Sequence, residues 1–364
     1  QRVQDQESTK EALESLNYWT EDMQVYALVT SSNMTRRQAE SEHGSIATDS
    51  IEGELQQLVN KEFATPIPPG ELTPEIIKGA IRSKMFVKQK MKPDGTIDKI
   101  KSRLVARGDQ QDWTLYEGED LSATTVTCMS VFSLLAIAAK EQRKVCTADV
   151  GGAYLNASMG TDGPPVYMSI EPSLAAILSG MDNRYREATR DNGAVIVRLD
   201  KCLYGCIESA RKWQLNVMQT MSDNGMKPNA YDPCVLNKTC RDGAQLTIAV
   251  YVDDTLMSST NEEEMEEMLE AIKNRYGDVK SHRGEVIEFL GMSMDMSAPG
   301  SASITMKGME ASIIEDAPTE RGTRRTNSPA ADNIFDIDED SPLLHNQERS
   351  EFHAMVARLL YLAK

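Results

Sequence analysis

The run Leu246-Thr247-Ile248-Ala249-Val250-Tyr251-Val252-Asp253-Asp254-Thr255-Leu256-Met257 places two adjacent acids between apolar flanks. The flanks predict two strands, 246–251 and 255–257, joined as a hairpin whose tip carries Asp253 and Asp254. Burying a carboxylate costs several kcal/mol unless a charge or a metal neutralises it. Taken alone, such a pair reads as a solvated turn. A third acid changes that reading: Asp149 closes an apolar strand predicted over 145–150, and a sheet can bring a strand end beside a neighbouring hairpin tip. Three oxygen ligands without histidine favour magnesium or manganese over zinc. Two such ions roughly 3.5 to 4 Å apart can activate an attacking hydroxyl and stabilise a leaving phosphate.

Outward from this point the periodicity gives a mixed order of elements. A helix is expected over 51–63, stopped by the proline cluster at 66–69. Runs at 85–88 and 101–105 flank Lys92-Pro93-Asp94-Gly95, a turn signal, so a basic hairpin is expected over 84–107. A buried helix over 126–142 leads into the strand at 145–150. Strands follow at 165–170 and 194–199, a helix at 208–221, a short strand at 234–236, and a helix capped by Asn261 with Glu262, Glu263 and Glu264 in its first turn. Further strands are expected at 288–296 and 304–306, and 319–342 reads as a linker. Residues 1–50 are polar and read as largely disordered, with at most a short helix. Trp213 falls on the apolar stripe of the helix at 208–221 and reads as core.

The chain has 364 residues, enough for two or three subdomains. No apolar run reaches a membrane span and no signal peptide opens the sequence, so an intracellular protein is expected. Six cysteines without CxxC spacing read as buried thiols. The net charge is −17, opposite in sign to the basic footprint of most nucleic-acid-binding domains. The charge is uneven, however. Arg82, Lys84, Lys88, Lys90, Lys92, Lys99, Lys101, Arg103 and Arg107 face only Asp94, Asp98 and Asp109 in their stretch, which leaves one local basic surface.

Several blocks in order carry a family resemblance. Tyr251-Val252-Asp253-Asp254, Thr147-Ala148-Asp149-Val150-Gly151-Gly152-Ala153-Tyr154-Leu155-Asn156, Lys101-Ser102-Arg103-Leu104-Val105-Ala106-Arg107-Gly108, Arg198-Leu199-Asp200-Lys201-Cys202-Leu203-Tyr204-Gly205, Phe289-Leu290-Gly291-Met292 and Leu359-Leu360-Tyr361-Leu362-Ala363 together resemble copia-type retrotransposon reverse transcriptases over about residues 51–364. The resemblance implies an α+β right-hand polymerase. Its fingers would span 51–125 with the basic hairpin, and 157–200. Its palm would span 126–156 and 201–300. A truncated, thumb-like helical region would span 301–364.

The resemblance also implies site residues. Asp149, Asp253 and Asp254 would hold two Mg2+ (or Mn2+) ions, with the backbone carbonyl of Val150 as a further oxygen. Lys101, Arg103 and Arg107 are candidates for the incoming triphosphate. Tyr154 resembles a steric gate against the ribose 2′-hydroxyl, Tyr204 and Gly205 with residues 209–212 would approach template and nucleotide, and Phe289, Leu290, Gly291 and Met292 would support the primer end. The implied partners are an RNA or DNA template with primer and deoxynucleoside triphosphates, with no membrane. Integrase and RNase H domains of the polyprotein are expected but absent from this chain. The implied location is a cytoplasmic particle or the nucleus.

Two departures from the family pattern stand out: Gly151-Gly152-Ala153-Tyr154, where a Lys-Thr or Asp-Thr pair and a phenylalanine are common, and Ala210, where proline is frequent. Two other readings stay open at the level of sequence. One is an inactive remnant with a binding role or none, favoured by the acidity and the missing companion domains. The other is a different two-metal phosphoryl-transfer enzyme on a related palm.

Overall fold

The computed structural model describes residues 33–91, 97–116, 122–161, 163–316 and 341–363. Two compact units divide the described chain, one over residues 32–305 and one from residue 306 onward.

The larger unit begins with β1 (Asn33–Thr35), α1 (Arg36–His43) and α2 (Ser45–Asn60). Residues 33–50 are thus ordered, against the expectation of disorder; the rest of that N-terminal stretch, 1–32, lies outside the described residues. Thr35 and Gln38 form a reciprocal capping box at the start of α1. The side chains that α1 and the first turn of α2 bury are Ala39 and Ala47. Alanines at helical spacing give little hydrophobic signal, which is why this stretch reads as polar.

β2 (Ala64–Pro66), α3 (Pro74–Gly79), β3 (Ile81–Met91) and β4 (Ile97–Ala106) follow. β3 and β4 are the predicted basic hairpin; its turn at 92–95 lies outside the described residues. A first sheet has the order β1-β3-β6-β7-β2, with β4 paired to β3 and with β6 (Tyr167–Ile170) and β7 (Val195–Leu199) coming from later in the chain. The far edge of β4 is closed by α2. Ser50 Oγ donates to the Ile100 carbonyl at 3.1 Å, and Glu54 Oε1 accepts the Leu104 N–H at 3.1 Å. Polar side chains of a helix thus satisfy an edge that would otherwise invite another strand.

α4 (Cys128–Glu141) leads into β5 (Lys144–Val150), and α5 (Pro172–Met181) and α6 (Asn183–Glu187) bridge β6 and β7. After α7 (Ser209–Asp223) come β8 (Lys227–Pro228), β9 (Val235–Thr239), β10 (Gln245–Tyr251), β11 (Asp254–Ser259), α8 (Glu262–Tyr276) and β12 (Val279–Arg283). These form a second sheet, ordered β12-β5-β11-β10-β9-β8. One continuous core joins both sheets, from Ile51, Leu55 and Leu104 to Trp213, Ile248 and Met257. Asn261 caps α8 by accepting the Glu264 N–H at 2.9 Å.

β13 (Val286–Phe289), β14 (Met292–Asp295) and β15 (Ser303–Thr305) make a third, small sheet. The expected strand over 288–296 is instead a hairpin. Leu290 and Gly291 form its two-residue tip with φ of 53° and 71°, positive at both positions as a tight type I′ turn requires.

The second unit contains α9 (Lys307–Asp316) and α10 (Asn346–Ala363), pinned together by Arg358, which pairs with Asp316 and donates to Ser312 Oγ at 3.1 Å. Most of the expected linker at 319–342 lies outside the described residues. No described helix is long and apolar enough to cross a membrane.

Candidate active site

The β10–β11 hairpin closes with Tyr251 opposite Asp254, leaving Val252 and Asp253 as its tip. Val252 has φ 54°, a left-handed conformation that is rare for a β-branched residue. β11 runs antiparallel to β5 with Asp254 directly opposite Asp149, so those two side chains project from the same face of the sheet. The Val150 N–H donates to the Asp253 carbonyl at 3.0 Å and fixes the tip to the end of β5. The hairpin tip and the end of β5 thus lie side by side at one end of the sheet, with Asp149 opposite Asp254 and next to the backbone of Asp253.

Burial pushes the Asp253 carboxyl above the usual carboxylate range. The charge of Asp149 adds to this, while its own backbone amide, Arg103 and Lys101 pull the other way. Among the described residues, no three His, Cys, Asp or Glu side chains are grouped closely enough to form a ready-made metal site. The donor set nonetheless suits a hard cation. It is all oxygen, it is partly buried, and its members repel one another, so a cation drawn between them relieves an existing cost.

The cations come from β4. Its alternation buries Ser102, Leu104 and Ala106 and turns Lys101 and Arg103 to the other face, where both act on Asp253. The Arg103 guanidinium lies 4.2 Å from the centre of the Tyr204 ring, and that ring lies 4.5 Å from the ring of Tyr154. Burial raises the phenol pKa of Tyr154 and of Tyr204, and for both the neighbouring Asp253 adds to the rise. Arg107 does not join this group. It is exposed and forms a 2.5 Å ion pair with Asp109. A cavity of about 280 Å³ is lined by Lys101, Arg103, Asp149, Gly151, Tyr204 and Glu54, among others.

Gly205 makes a close approach on its inner side. Its close neighbour is this chain's own backbone. At φ 92°, a Cβ there would overlap the Ala106 carbonyl oxygen and sit 2.7 Å from Val105 Cγ1. The Ala106 N–H donates to the Tyr204 carbonyl at 2.8 Å, so the two glycines Gly205 and Gly108 let this segment lie against the end of β4. Gln111 completes the strap, accepting the Ile207 N–H at 2.9 Å and donating to Glu208 at 3.1 Å.

Phe289 and Met292 are buried in the third sheet while Leu290 and Gly291 turn its hairpin. Three contributors escaped the sequence reading. Glu54 lies under β4, where its carboxyl is pushed up by burial. The Asp278 backbone carbonyl accepts the Gly151 N–H at 2.7 Å, and the Asp278 carboxylate occupies the space a Gly151 side chain would need. A side chain at position 151 would have to displace that carboxylate. Trp213 is core as expected, yet its indole N–H donates to the Val252 carbonyl at 2.6 Å. Only a three-dimensional contact announces that role.

Residues 76–326 match the family model described as reverse transcriptase (RNA-dependent DNA polymerase). The chain is 25% identical over 300 residues to the Transposon Ty1-DR4 Gag-Pol polyprotein of Saccharomyces cerevisiae, covering 79% of this chain and 17% of that protein. It is 26% identical over 227 residues to the Retrovirus-related Pol polyprotein from transposon RE2 of Arabidopsis thaliana, covering 62% of this chain and 14% of that one. The chain thus spans about a sixth of the length of these polyproteins. Among solved structures, a foamy viral protease-reverse transcriptase in complex with double-stranded DNA aligns over 73% of this chain and 36% of that one, with 13% identity and a TM-score of 0.37.

Proposed function

The chain belongs to the reverse transcriptase (RNA-dependent DNA polymerase) family, and from that premise we propose that it extends a primer 3′-hydroxyl on an RNA or DNA template within a copia-type retrotransposon polyprotein. The observation that carries the reading is the register of Asp149 opposite Asp254, with Asp253 tied to the same strand end.

In this reading the primer hydroxyl attacks the α-phosphate of a deoxynucleoside triphosphate and pyrophosphate leaves. Asp149, Asp253 and Asp254 would hold two divalent cations, with the Val150 carbonyl as a further ligand. When bound, such ions activate the hydroxyl and neutralise the charge that builds on the leaving group. Lys101 and Arg103 supply fixed positive charge for the triphosphate. Arg107 is left out of that role by its pairing with Asp109. Tyr154, packed against Tyr204, excludes a 2′-hydroxyl by volume. Phe289, Leu290, Gly291 and Met292 support the primer end.

The fingers and palm division is supported by strand membership. β2, β3, β4, β6 and β7 fall in 51–125 and 157–200 and share the first sheet, whereas β5 and β8 to β12 fall in 126–156 and 201–300 and share the second. Integrase and RNase H partners within the polyprotein, and a cytoplasmic particle or nuclear location, belong to the same proposal.

Primer extension tests it. The parent chain with Mg2+ should extend, and Asp149→Asn and Asp253→Asn should each lose on the order of a thousandfold or more. Either variant matching the parent would sink the assignment. The competing reading, an inactive remnant, is favoured by the lack of a preformed three-acid group among the described residues. It predicts negligible extension by the intact chain and no salt-dependent binding of a primer–template duplex.

A further inference from the structure

We propose that Trp213 is a positioning residue for the catalytic acids, acting through one hydrogen bond from its indole N–H to the carbonyl of Val252 at the hairpin tip; this rests on the polymerase reading above. The tip has two residues and one of them is strained. Val252 sits at φ 54°, where its branched side chain crowds the backbone, so the tip needs an external hold to stay in that basin. Asp253 follows Val252 directly, and any relaxation of φ at Val252 swings the Asp253 carboxylate away from Asp149.

The hold comes from below. Trp213 lies on α7, is buried, and donates to the Val252 carbonyl at 2.6 Å. The indole is itself fixed. Its ring meets the Tyr276 ring edge-on at 5.2 Å and 62°. The Tyr276 hydroxyl in turn bonds Thr220 Oγ1 at 2.7 Å and Asn216 Oδ1 at 2.9 Å, both on α7. The donor is therefore a rigid mount rather than a mobile side chain. On the opposite side the Val150 N–H holds the next carbonyl, that of Asp253, at 3.0 Å. The two bonds clamp successive peptide units of the tip, one from the helix layer and one from β5.

The geometry makes two demands that a purely structural tryptophan would not. Removing the N–H while keeping the ring volume must loosen the metal ligands. Replacing Val252 by glycine, which adopts positive φ without strain, must make the N–H less necessary. The variants are Trp213→Phe, insertion at 213 of 3-benzothienylalanine, which keeps the bicyclic shape and lacks the N–H, Val252→Gly, and Trp213→Phe combined with Val252→Gly. Each is measured for Mn2+ affinity without substrate, by the electron paramagnetic resonance of free Mn2+, and for single-turnover extension.

Loss of the N–H should weaken Mn2+ binding several-fold and lower the maximal rate about tenfold or more with little change in the nucleotide concentration at half-rate. In the Val252→Gly background the same loss should shrink to about threefold or less. Unchanged Mn2+ affinity in the benzothienylalanine protein, or equal losses in both backgrounds, would overturn the positioning role. A parent chain that binds Mn2+ but extends no primer removes the polymerase reading alone and leaves the Mn2+ comparison to judge Trp213. A parent that does neither removes both.

Discussion

Replacing Gly205 by alanine adds one methyl group at the point where the Tyr204–Gly205 segment lies against β4. The new Cβ would overlap the Ala106 carbonyl oxygen, a backbone atom, and approach the Val105 Cγ1 methyl to 2.7 Å. The segment must therefore retreat by several tenths of an ångström at least. Four costs accompany that movement. A φ of 92° costs an alanine about 1 to 2 kcal/mol. The 2.8 Å bond from the Ala106 N–H to the Tyr204 carbonyl is stretched or lost, about 1 kcal/mol. Tyr204 shifts from under the Arg103 guanidinium, about 0.5 to 1 kcal/mol, and the Tyr154–Tyr204 ring contact loosens, of similar size. The total is about 3 to 5 kcal/mol, which for a unit of this size lowers the melting temperature by roughly 6 to 20 °C. Extension should fall on the order of a hundredfold, because Arg103 and Tyr154 move together. Gly53→Ala is the control. Nothing lies within 4 Å of its added Cβ, and in the interior of α2 it should stabilise by about 0.5 to 1 kcal/mol. A Gly205→Ala chain that melts within about 2 °C of the parent and extends at the parental rate would refute the close-approach reasoning.

The Asp253 carboxyl is pushed up by burial and by Asp149, so its protonated form is favoured in the folded chain, and the stability it contributes is present at low pH and lost as pH rises through its elevated pKa. Metal-free Asp253→Asn should therefore melt above the metal-free parent at about pH 8, with the gap closing as pH falls; a variant that melts below the parent at the higher pH contradicts the burial argument. Arg103→Lys keeps the charge but loses the planar stack on Tyr204, and should raise the nucleotide concentration at half-rate by about tenfold, whereas Arg107→Ala should change it less than about twofold, the exposed pair with Asp109 contributing little. Steady-state nucleotide titrations read both, and equal effects would erase the distinction drawn between these two arginines. Tyr154→Ala removes the ring packed on Tyr204 and should reduce discrimination against ribonucleotides by about tenfold or more; unchanged incorporation ratios would dismiss the gate.

Period-two and period-3.6 patterns in large apolar residues made β5, β7, β10, β11 and α8 readable in sequence, with ends displaced by one or two residues. The failures have separable causes. α1 and the start of α2 bury alanines, which carry too little hydrophobicity to mark a face. β12 is Val279–Arg283, charged and mostly exposed along its length, an edge strand whose place is set by pairing with β5 rather than by its own pattern. The stretch 288–296 reads as one strand in sequence because the hairpin tip uses Leu290 at positive φ, a residue that signals strand, not turn. The three acids and the tyrosines of the candidate site are legible as a motif. Their support was not. Glu54 and Trp213 act through single side-chain bonds to a distant backbone amide and carbonyl, and Asp278 through its own backbone carbonyl, and no local pattern records which distant backbone group each will meet.

The net charge of −17 shows why a summed charge is a poor guide to a site's field. Much of the acid on α8 is consumed locally. Glu264 is buried and bound by Lys238 at 2.9 Å and Arg241 at 3.2 Å, Glu267 pairs with Arg241 at 2.7 Å, and Glu266 pairs with Arg283. Those pairs tie α8 to strands of its own sheet and its connecting turns, and the backbone bond from the Arg241 N–H to Glu264 makes the buried acid a structural fixture. Lys101 and Arg103, by contrast, lie on the other sheet and act on the carboxyls of Asp253 and Glu54. Their charge bears on Asp253 at one end of the second sheet, and the field at that point is set within about one Debye length, roughly 10 Å, of it. A chain can therefore be strongly acidic in sum and still present positive charge at the place where a polyanion has to be held, provided its surplus acids are paired elsewhere.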